Sequence, residues 1–182
     1  QVELWALRAP APGATLMHAG PACRIGQVEL GLNVDRLSTA AGARNSVGPN
    51  LKWVMDPLVG RLSAGIVWSA AVDPAHGGRP AQALYVPLTF SLAESLQVHA
   101  NIGLDRESNG GRSRRQGLAG EWAASDRISV IAERARIVGE WGSRVGGRVA
   151  LGPSLSLDLS AARVGARGDR VYALGLNHDF TR

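Results

Sequence analysis

Four charged residues in the C-terminal third of the sequence have a spacing that would bring acids and bases side by side in a β-sheet. A turn at 152–154 would place Arg148 opposite Asp158, and the turn before it would place Glu133 beside Arg144 and Arg148. Opposed charges on neighbouring strands stabilise a sheet by roughly 0.2–1 kcal/mol per pair. Inside a narrow passage the same charge ladder would filter charged solutes. The ladder therefore predicts either internal packing or a constriction.

A second set of polar side chains follows the same alternating pattern earlier in the chain, on two segments that would form the third and fourth strands of a sheet. The alternation with apolar residues predicts that all of its members share one face. The interpretations are again polar packing of an interior or the lining of a passage. The set is Glu29, Asn33, Asp35, Asn50 and Lys52.

The histidines give little support for an enzyme or a metal site. They are His18, His76, His99 and His178, and none has a spacing from a serine that indicates a nucleophile with its base. His99 shares an alternating polar row with Asp105, but it has no second His or Cys nearby, as a metal site would require. We therefore expect no catalytic residue, no metal and no cofactor, and an enzyme is the third alternative.

Period-two alternation is the main signal for the elements that position these residues. Over 27–35 the side chains Val28, Leu30, Leu32 and Val34 alternate with polar residues and glycine. Helical spacing would scatter these apolar side chains, whereas a pleated strand places them all on one face. The same rhythm recurs over 61–73, 96–105 and 141–151, which predicts an all-β protein.

The lengths of the segments point to a membrane. No stretch approaches the roughly 20 apolar residues of a membrane helix, but most alternating segments have about the 9–11 residues that cross a bilayer as tilted strands. The sequence predicts a single domain over 1–182, a closed antiparallel up-and-down transmembrane β-barrel with about twelve strands. The predicted strands are 1–8, 13–20, 24–37, 47–56, 60–73, 81–92, 95–106, 114–125, 127–138, 141–152, 154–164 and 169–181.

The predicted connections alternate in length, which is typical of barrels with short turns at one end and longer loops at the other. Tight turns are expected at 20–24, 56–60, 93–95, 125–127 and 152–154. Long polar connections are expected at 37–46, 73–80 and 105–113.

The aromatic residues of the apolar phase fall near the ends of the predicted strands. Two belts of such rings are expected where a barrel meets the lipid headgroups on either side. Trp5 falls near the outer belt, but the phase of its strand is ambiguous. The belt residues are Trp68, Trp141 and Tyr172 at the outer end, and Trp53, Phe90, Trp122 and Phe180 at the other.

The last predicted strand carries a family resemblance. Tyr172, Leu174, Leu176 and Phe180 alternate with small or polar residues, although His178 stands at a position that is usually apolar, and Thr181 and Arg182 follow the aromatic residue. This segment resembles the terminal strand of bacterial outer-membrane β-barrels, and the whole chain is broadly similar to small proteobacterial barrels of that kind. The resemblance implies a place in the bacterial outer membrane and recognition of the last strand by the barrel-assembly machinery.

The alternatives are a soluble β-sandwich or lipocalin-like barrel with the apolar face inside, and a nucleic-acid-binding protein. The polar face has mostly small residues and isolated charges, which suits a crowded interior better than a solvated surface. The net charge is +5, but the arginines are dispersed along the chain. We therefore expect no nucleic-acid partner.

These patterns favour a small channel for polar solutes. The alternative is an anchor or docking subunit of a larger envelope assembly without transport. The longest outer loop concentrates arginines, which bind phosphate through two hydrogen bonds at once. The expected partners are the lipid bilayer, lipopolysaccharide and an envelope protein, and the expected lipopolysaccharide contacts are Arg112, Arg114 and Arg115.

Overall fold

The computed structural model describes residues 1–10 and 13–180, except for the side chains of 56–59. The described residues contain twelve strands, each paired antiparallel with the next, and the last pairs with the first to close the sheet. The predicted closed antiparallel barrel is therefore confirmed. The strands are β1 (Val2–Ala9), β2 (Ala14–Ile25), β3 (Val28–Thr39), β4 (Gly42–Val59), β5 (Leu62–Ala71), β6 (Ala81–Ala93), β7 (Leu96–Arg106), β8 (Arg112–Ser125), β9 (Ile128–Ile137), β10 (Glu140–Ala150), β11 (Leu155–Val164) and β12 (Asp169–His178).

Most of the large apolar side chains of the barrel lie on its outer surface. Leu30, Ile102 and Leu118 are 51%, 63% and 61% exposed, and the buried apolar residues are mainly alanines. The residues between them in sequence point into the lumen, because side chains alternate across a strand. A soluble barrel with an apolar interior would show the reverse arrangement. Within the described chain, no helix is long and apolar enough to cross a membrane.

The two ends of the barrel differ in their connections. The terminal end carries Gln1, the end of β12 and the turns at 26–27, 60–61, 94–95 and 126–127, together with the connection 151–154. The loop end carries the other connections, of which 72–80 and 107–111 are long and 40–41 and 138–139 are tight turns. The predicted asymmetry in loop length is present, but only part of the loop end shows it.

Two predicted connections are wrong because polar or turn-forming residues lie within strands. The expected turn at 20–24 belongs to β2, where the ladder to β3 is interrupted at Gly20 and Pro21. Pro21 has no N–H to donate, so it marks a gap in the ladder and not the end of the strand. The expected long connection at 37–46 is a tight turn at 40–41, because both flanking strands extend past the apolar zone with polar residues. The last residue of the final predicted strand, Thr181, and the Arg182 after it lie outside the described residues.

The turn at 138–139 contains local strain. Val138 and Gly139 have φ values of 50° and 82°, as in the two-residue turns that favour Asn-Gly. A β-branched side chain in this left-handed conformation is unfavourable.

We predict that Val138→Asn raises the free energy of unfolding by about 1 kcal/mol, because asparagine tolerates this conformation. The backbone N–H of residue 138, which donates to Asp105, is retained. Urea unfolding in lipid vesicles would measure the change. Val138→Ala, which only removes the branching, should give a smaller gain, and a loss of stability in the asparagine variant would contradict the strain argument.

Candidate functional site

The charge ladder lies in the lumen on β9, β10 and β11. Arg148 donates from Nε and Nη2 to the two carboxylate oxygens of Asp158, each at 2.7 Å. The Arg144 guanidinium lies 2.6 Å from the carboxylate of Glu133. Both pairs are directly opposed across neighbouring strands. Asn177 of β12 also donates to Asp158 at 2.9 Å, so the ladder extends across four strands.

The lumen beside the ladder is not filled by side chains. The side chains of Arg144 and Arg148 point inward, yet they are 47% and 55% exposed. They border a cavity of about 350 Å³ that is also lined by Glu3 of β1 and Glu121 of β8. Side chains that filled the interior would have covered these guanidinium groups. The ladder therefore lines the wall of an unfilled space inside the barrel.

A group that sequence reasoning missed lies on β1, β2 and β3. Nδ1 of the His18 ring lies at a hydrogen-bond distance of 2.7 Å from the carboxylate of Asp35, and its Nε2 lies 3.8 Å from the carboxylate of Glu3. Trp5 stacks on the His18 ring at a centroid distance of 4.6 Å and donates from Nε1 to Glu3. Ser46 donates to Asp35 from β4.

Trp5 therefore lies in the lumen and not in the outer aromatic belt. The lumen-facing residues of β1 include both Trp5 and Leu7, so the polar and apolar phases of this strand look alike in the sequence. The available signal was Glu3, a carboxylate that belongs in the lumen and that shares the phase of Trp5 and Leu7.

The second predicted polar set shares the lumen face of β3 and β4 but does not form one cluster. Glu29 is the Cα partner of Lys52 on one side and of Arg24 on the other. Asp35 lies nearer the loop end with His18. Asn33 and Asn50 lie between them along the two strands.

Another lumen group joins β6, β7 and β8. The His99 ring lies 2.9 Å from the Thr89 hydroxyl through Nδ1 and 3.2 Å from the Glu121 carboxylate through Nε2. In the part of the chain that the structure describes, no set of three His, Cys, Asp or Glu side chains is placed to hold a metal ion.

The structure contradicts the role predicted for Arg115. We expected it to contact lipopolysaccharide together with Arg112 and Arg114. Neighbouring residues on a strand point to opposite faces, so Arg112 and Arg114 face outward while Arg115 points into the lumen. There its Nη2 lies 2.8 Å from the Asp105 carboxylate and its guanidinium lies over the Tyr85 ring.

The lumen-facing positions of the wall carry charges of both signs. On the described lumen-facing positions of the strands, acidic residues outnumber basic ones. The acidic residues are Glu3, Glu29, Asp35, Asp105, Glu121, Glu133, Glu140, Asp158 and Asp169, and the basic ones are Arg24, Arg44, Lys52, Arg115, Arg144 and Arg148.

The aromatic residues of the predicted belts all lie on the outward phase of the wall. Trp53, Phe90 and Trp122 are exposed near the terminal end, as is Phe180 just past β12. Near the loop end, Trp141 and Tyr172 are exposed and Trp68 is half-buried. Exposed rings at both ends, with aliphatic side chains between them, match the band expected at a bilayer.

Solved structures with the same fold are bacterial outer-membrane proteins. The KdgM porin is 10% identical with a TM-score of 0.82, and the match covers 99% of each chain. KdgM has also been solved in complex with disordered oligogalacturonate, at a TM-score of 0.78, 9% identity and 99% coverage of each chain. The NanC porin is 9% identical with a TM-score of 0.74, over 99% of this chain and 100% of that one.

The fold is shared with an enzyme as well. The outer-membrane phospholipase of Salmonella typhi is 10% identical with a TM-score of 0.57, and the match covers 97% of this chain and 89% of that one. Identities this low show the fold alone, which is that of outer-membrane β-barrels. No curated protein matches the chain in sequence.

A sequence-family model matches nearly the whole barrel, over residues 1–177. The chain belongs to the family described as uncharacterised conserved protein UCP029691.

Proposed function

We propose that the barrel is a narrow aqueous channel of the bacterial outer membrane, which passes small polar solutes and prefers cations. The observation that carries the proposal is the solvent exposure of Arg144 and Arg148, at 47% and 55%, although both side chains point inward. An anchoring barrel needs no such space and gains stability from a filled interior. The structural likeness to porins supports the same function.

The preference for cations follows from the excess of acidic residues along the lumen. Charged rings in a narrow pore raise the local concentration of the opposite ion and lower that of the like ion. KdgM has been solved with oligogalacturonate, whose carboxylates are anionic. The acidic lumen of this chain does not favour such a polyanion, so we assign it smaller neutral or cationic solutes.

Catalysis is a weaker candidate, although Thr89, His99 and Glu121 place a hydroxyl, an imidazole and a carboxylate in one row. Hydrolysis of an acyl group also needs N–H donors aimed at the developing oxyanion. Thr89 and His99 each have Cα partners on both neighbouring strands, so their own N–H groups are engaged in the ladder. We therefore propose no catalytic reaction for this barrel.

The proposal extends to the orientation and partners of the barrel. The loop end, with Arg112 and Arg114 on its outer surface, would face the lipopolysaccharide leaflet. Phe180, which is 66% exposed beyond β12, would present the terminal strand to the barrel-assembly machinery.

Single-channel recording in planar lipid bilayers tests the channel. We expect discrete conductance steps, and a salt gradient should give a reversal potential that indicates cation preference. A folded preparation that inserts into bilayers but gives no steps would overturn the channel and favour the anchor. Steps with anion preference would overturn the assignment of solute charge.

A further inference from the structure

The outward face of the wall has an unusual charge distribution. Among the described strand residues on this face, every Asp, Glu, Lys or Arg is an arginine, and all of them lie near the loop end. A lipid-facing arginine is costly at the bilayer midplane and tolerated at the headgroup level. These arginines are Arg8, Arg36, Arg106, Arg112, Arg114, Arg134, Arg136, Arg163 and Arg170.

Three of the arginines form one row across four strands, with a serine between them. Ser143 of β10 is the Cα partner of Arg134 on one side and of Arg163 on the other, and Arg163 is opposite Arg170. Arg134 donates to the Ser143 hydroxyl at 2.9 Å and lies over the Trp141 ring. This set, Arg134, Ser143, Arg163 and Arg170, is called the arginine row below.

Arg163 and Arg170 repel each other. Like charges directly opposite on neighbouring strands destabilise a sheet, and the outward face of the described strands offers no carboxylate to offset them. An anion that bridged both guanidinium groups would turn this repulsion into binding energy. A phosphate matches the forked geometry of arginine, with two hydrogen bonds to each side chain.

An apolar groove adjoins the arginine row on the side of the membrane centre. Ala161 lies between Val145 and Tyr172 in the next outward row, so a small side chain forms the floor between larger ones. The space has a volume of about 420 Å³ and is bordered by Arg163 and Arg170. It adjoins a second groove of about 660 Å³ that continues past Leu159 and Leu174.

We infer that the wall formed by β9–β12 is a binding site for a phosphorylated lipid, specifically lipid A of lipopolysaccharide. Arg163 and Arg170 bind one headgroup phosphate, with Arg134 beside them. An acyl chain lies in the groove over Ala161. The inference depends on the proposed orientation in the outer membrane but not on conductance.

Native mass spectrometry of the delipidated barrel in detergent, titrated with bisphosphorylated lipid A, tests the site. We expect one tightly bound lipid, and about tenfold weaker binding in the double variant Arg163→Gln/Arg170→Gln. Arg36→Gln is the matched control, because Arg36 faces outward near the loop end between Met17 and Asn45. Equal binding by the double variant, or an equal loss in the control, would overturn a specific site.

Two further measurements test the acyl-chain groove and the phosphate contacts separately. Ala161→Phe fills the groove from the lipid side, where an apolar residue is compatible with folding, and should also weaken lipid A binding. Unchanged binding would contradict the placement of an acyl chain in the groove. Inorganic phosphate should not compete at millimolar concentration, and competition would indicate a free-phosphate site instead. A barrel that conducts without binding lipid A would overturn this site alone, and one that binds lipid A without conducting would overturn only the channel.

Discussion

Replacement of Asp105 by alanine is expected to lower the free energy of unfolding by about 3–5 kcal/mol, as is typical when one partner of a buried ion pair is removed. Asp105 is 4% exposed, and no other charged residue in the described part of the chain is buried to this extent. One carboxylate oxygen accepts from Nε of Arg115 at 2.9 Å, and the other accepts from the backbone N–H of Val138 at 3.0 Å. Alanine would leave both donors without this acceptor.

The contacts of Asp105 link several strands, so its loss should lower the stability of the whole barrel and not of one strand pair. Arg115 belongs to β8, while Val138 belongs to the strained turn after β9, so one carboxylate connects β7 with two other parts of the loop end. Urea unfolding in lipid vesicles, followed by tryptophan fluorescence, would measure the loss.

Asp158→Ala serves as the matched control for Asp105→Ala. Asp158 also pairs with an arginine in the lumen, but its side chain is 33% exposed, and water can solvate the partner that remains. Its loss should therefore cost about 1 kcal/mol or less. The double variant Asp105→Ala/Arg115→Met should be less destabilised than the sum of its single changes, because it leaves no unpaired buried charge. Equal losses for Asp105→Ala and Asp158→Ala would contradict the buried-pair argument.

The second large effect is expected on ion selectivity. Arg144→Gln/Arg148→Gln removes two positive charges from the wall of the unfilled space and leaves Glu133 and Asp158 ionised. A unit charge about 8 Å from a passing ion in water contributes on the order of 0.5 kcal/mol. Two charges act on potassium and chloride with opposite sign, so their removal should change the permeability ratio by about 2 kcal/mol, a rise of roughly thirtyfold in favour of potassium. The reversal potential in a dilute potassium chloride gradient would measure the change, since salt screens the effect.

Arg8→Gln/Arg36→Gln is the control for this prediction. It removes the same number of charges near the loop end, but both side chains point away from the lumen. The control should leave the permeability ratio near that of the wild type. Asp158→Asn should shift the ratio toward chloride. If the lumen and control variants shift the ratio equally, the ladder does not line the conduction path.

The charge ladder shows how far sequence reasoning reaches for a candidate site. Arg148 and Asp158 could be paired from the sequence, because one short hairpin joins their strands and the alternation fixes their common face. The contacts of His99 with Glu121, and of Asp105 with Val138, were not predicted. These contacts are diagonal or reach across two strands, so they depend on barrel curvature and tilt.

The arginines near residue 112 show the opposite case. We predicted one role for Arg112, Arg114 and Arg115 as residues of the outer loop, although Arg114 and Arg115 fall at the start of the predicted strand 114–125. In the structure β8 begins at Arg112, and alternation then sends Arg115 inward to Asp105. Alternation along the predicted strand already sends Arg114 and Arg115 to opposite faces, so the shared role neglected a signal that the sequence contains.

The sequence by itself determined that the chain is an antiparallel β-barrel of about twelve strands with its apolar face outward, because period-two alternation is a local property of each strand. Only the tertiary structure decided the register of β1 against β12, the inward position of Trp5 and the opposition of Arg163 to Arg170. Closure of the barrel sets the first, and the others need the phase or register of individual strands. Alternation fixes which residues share a face, whereas the register between strands fixes which of them meet.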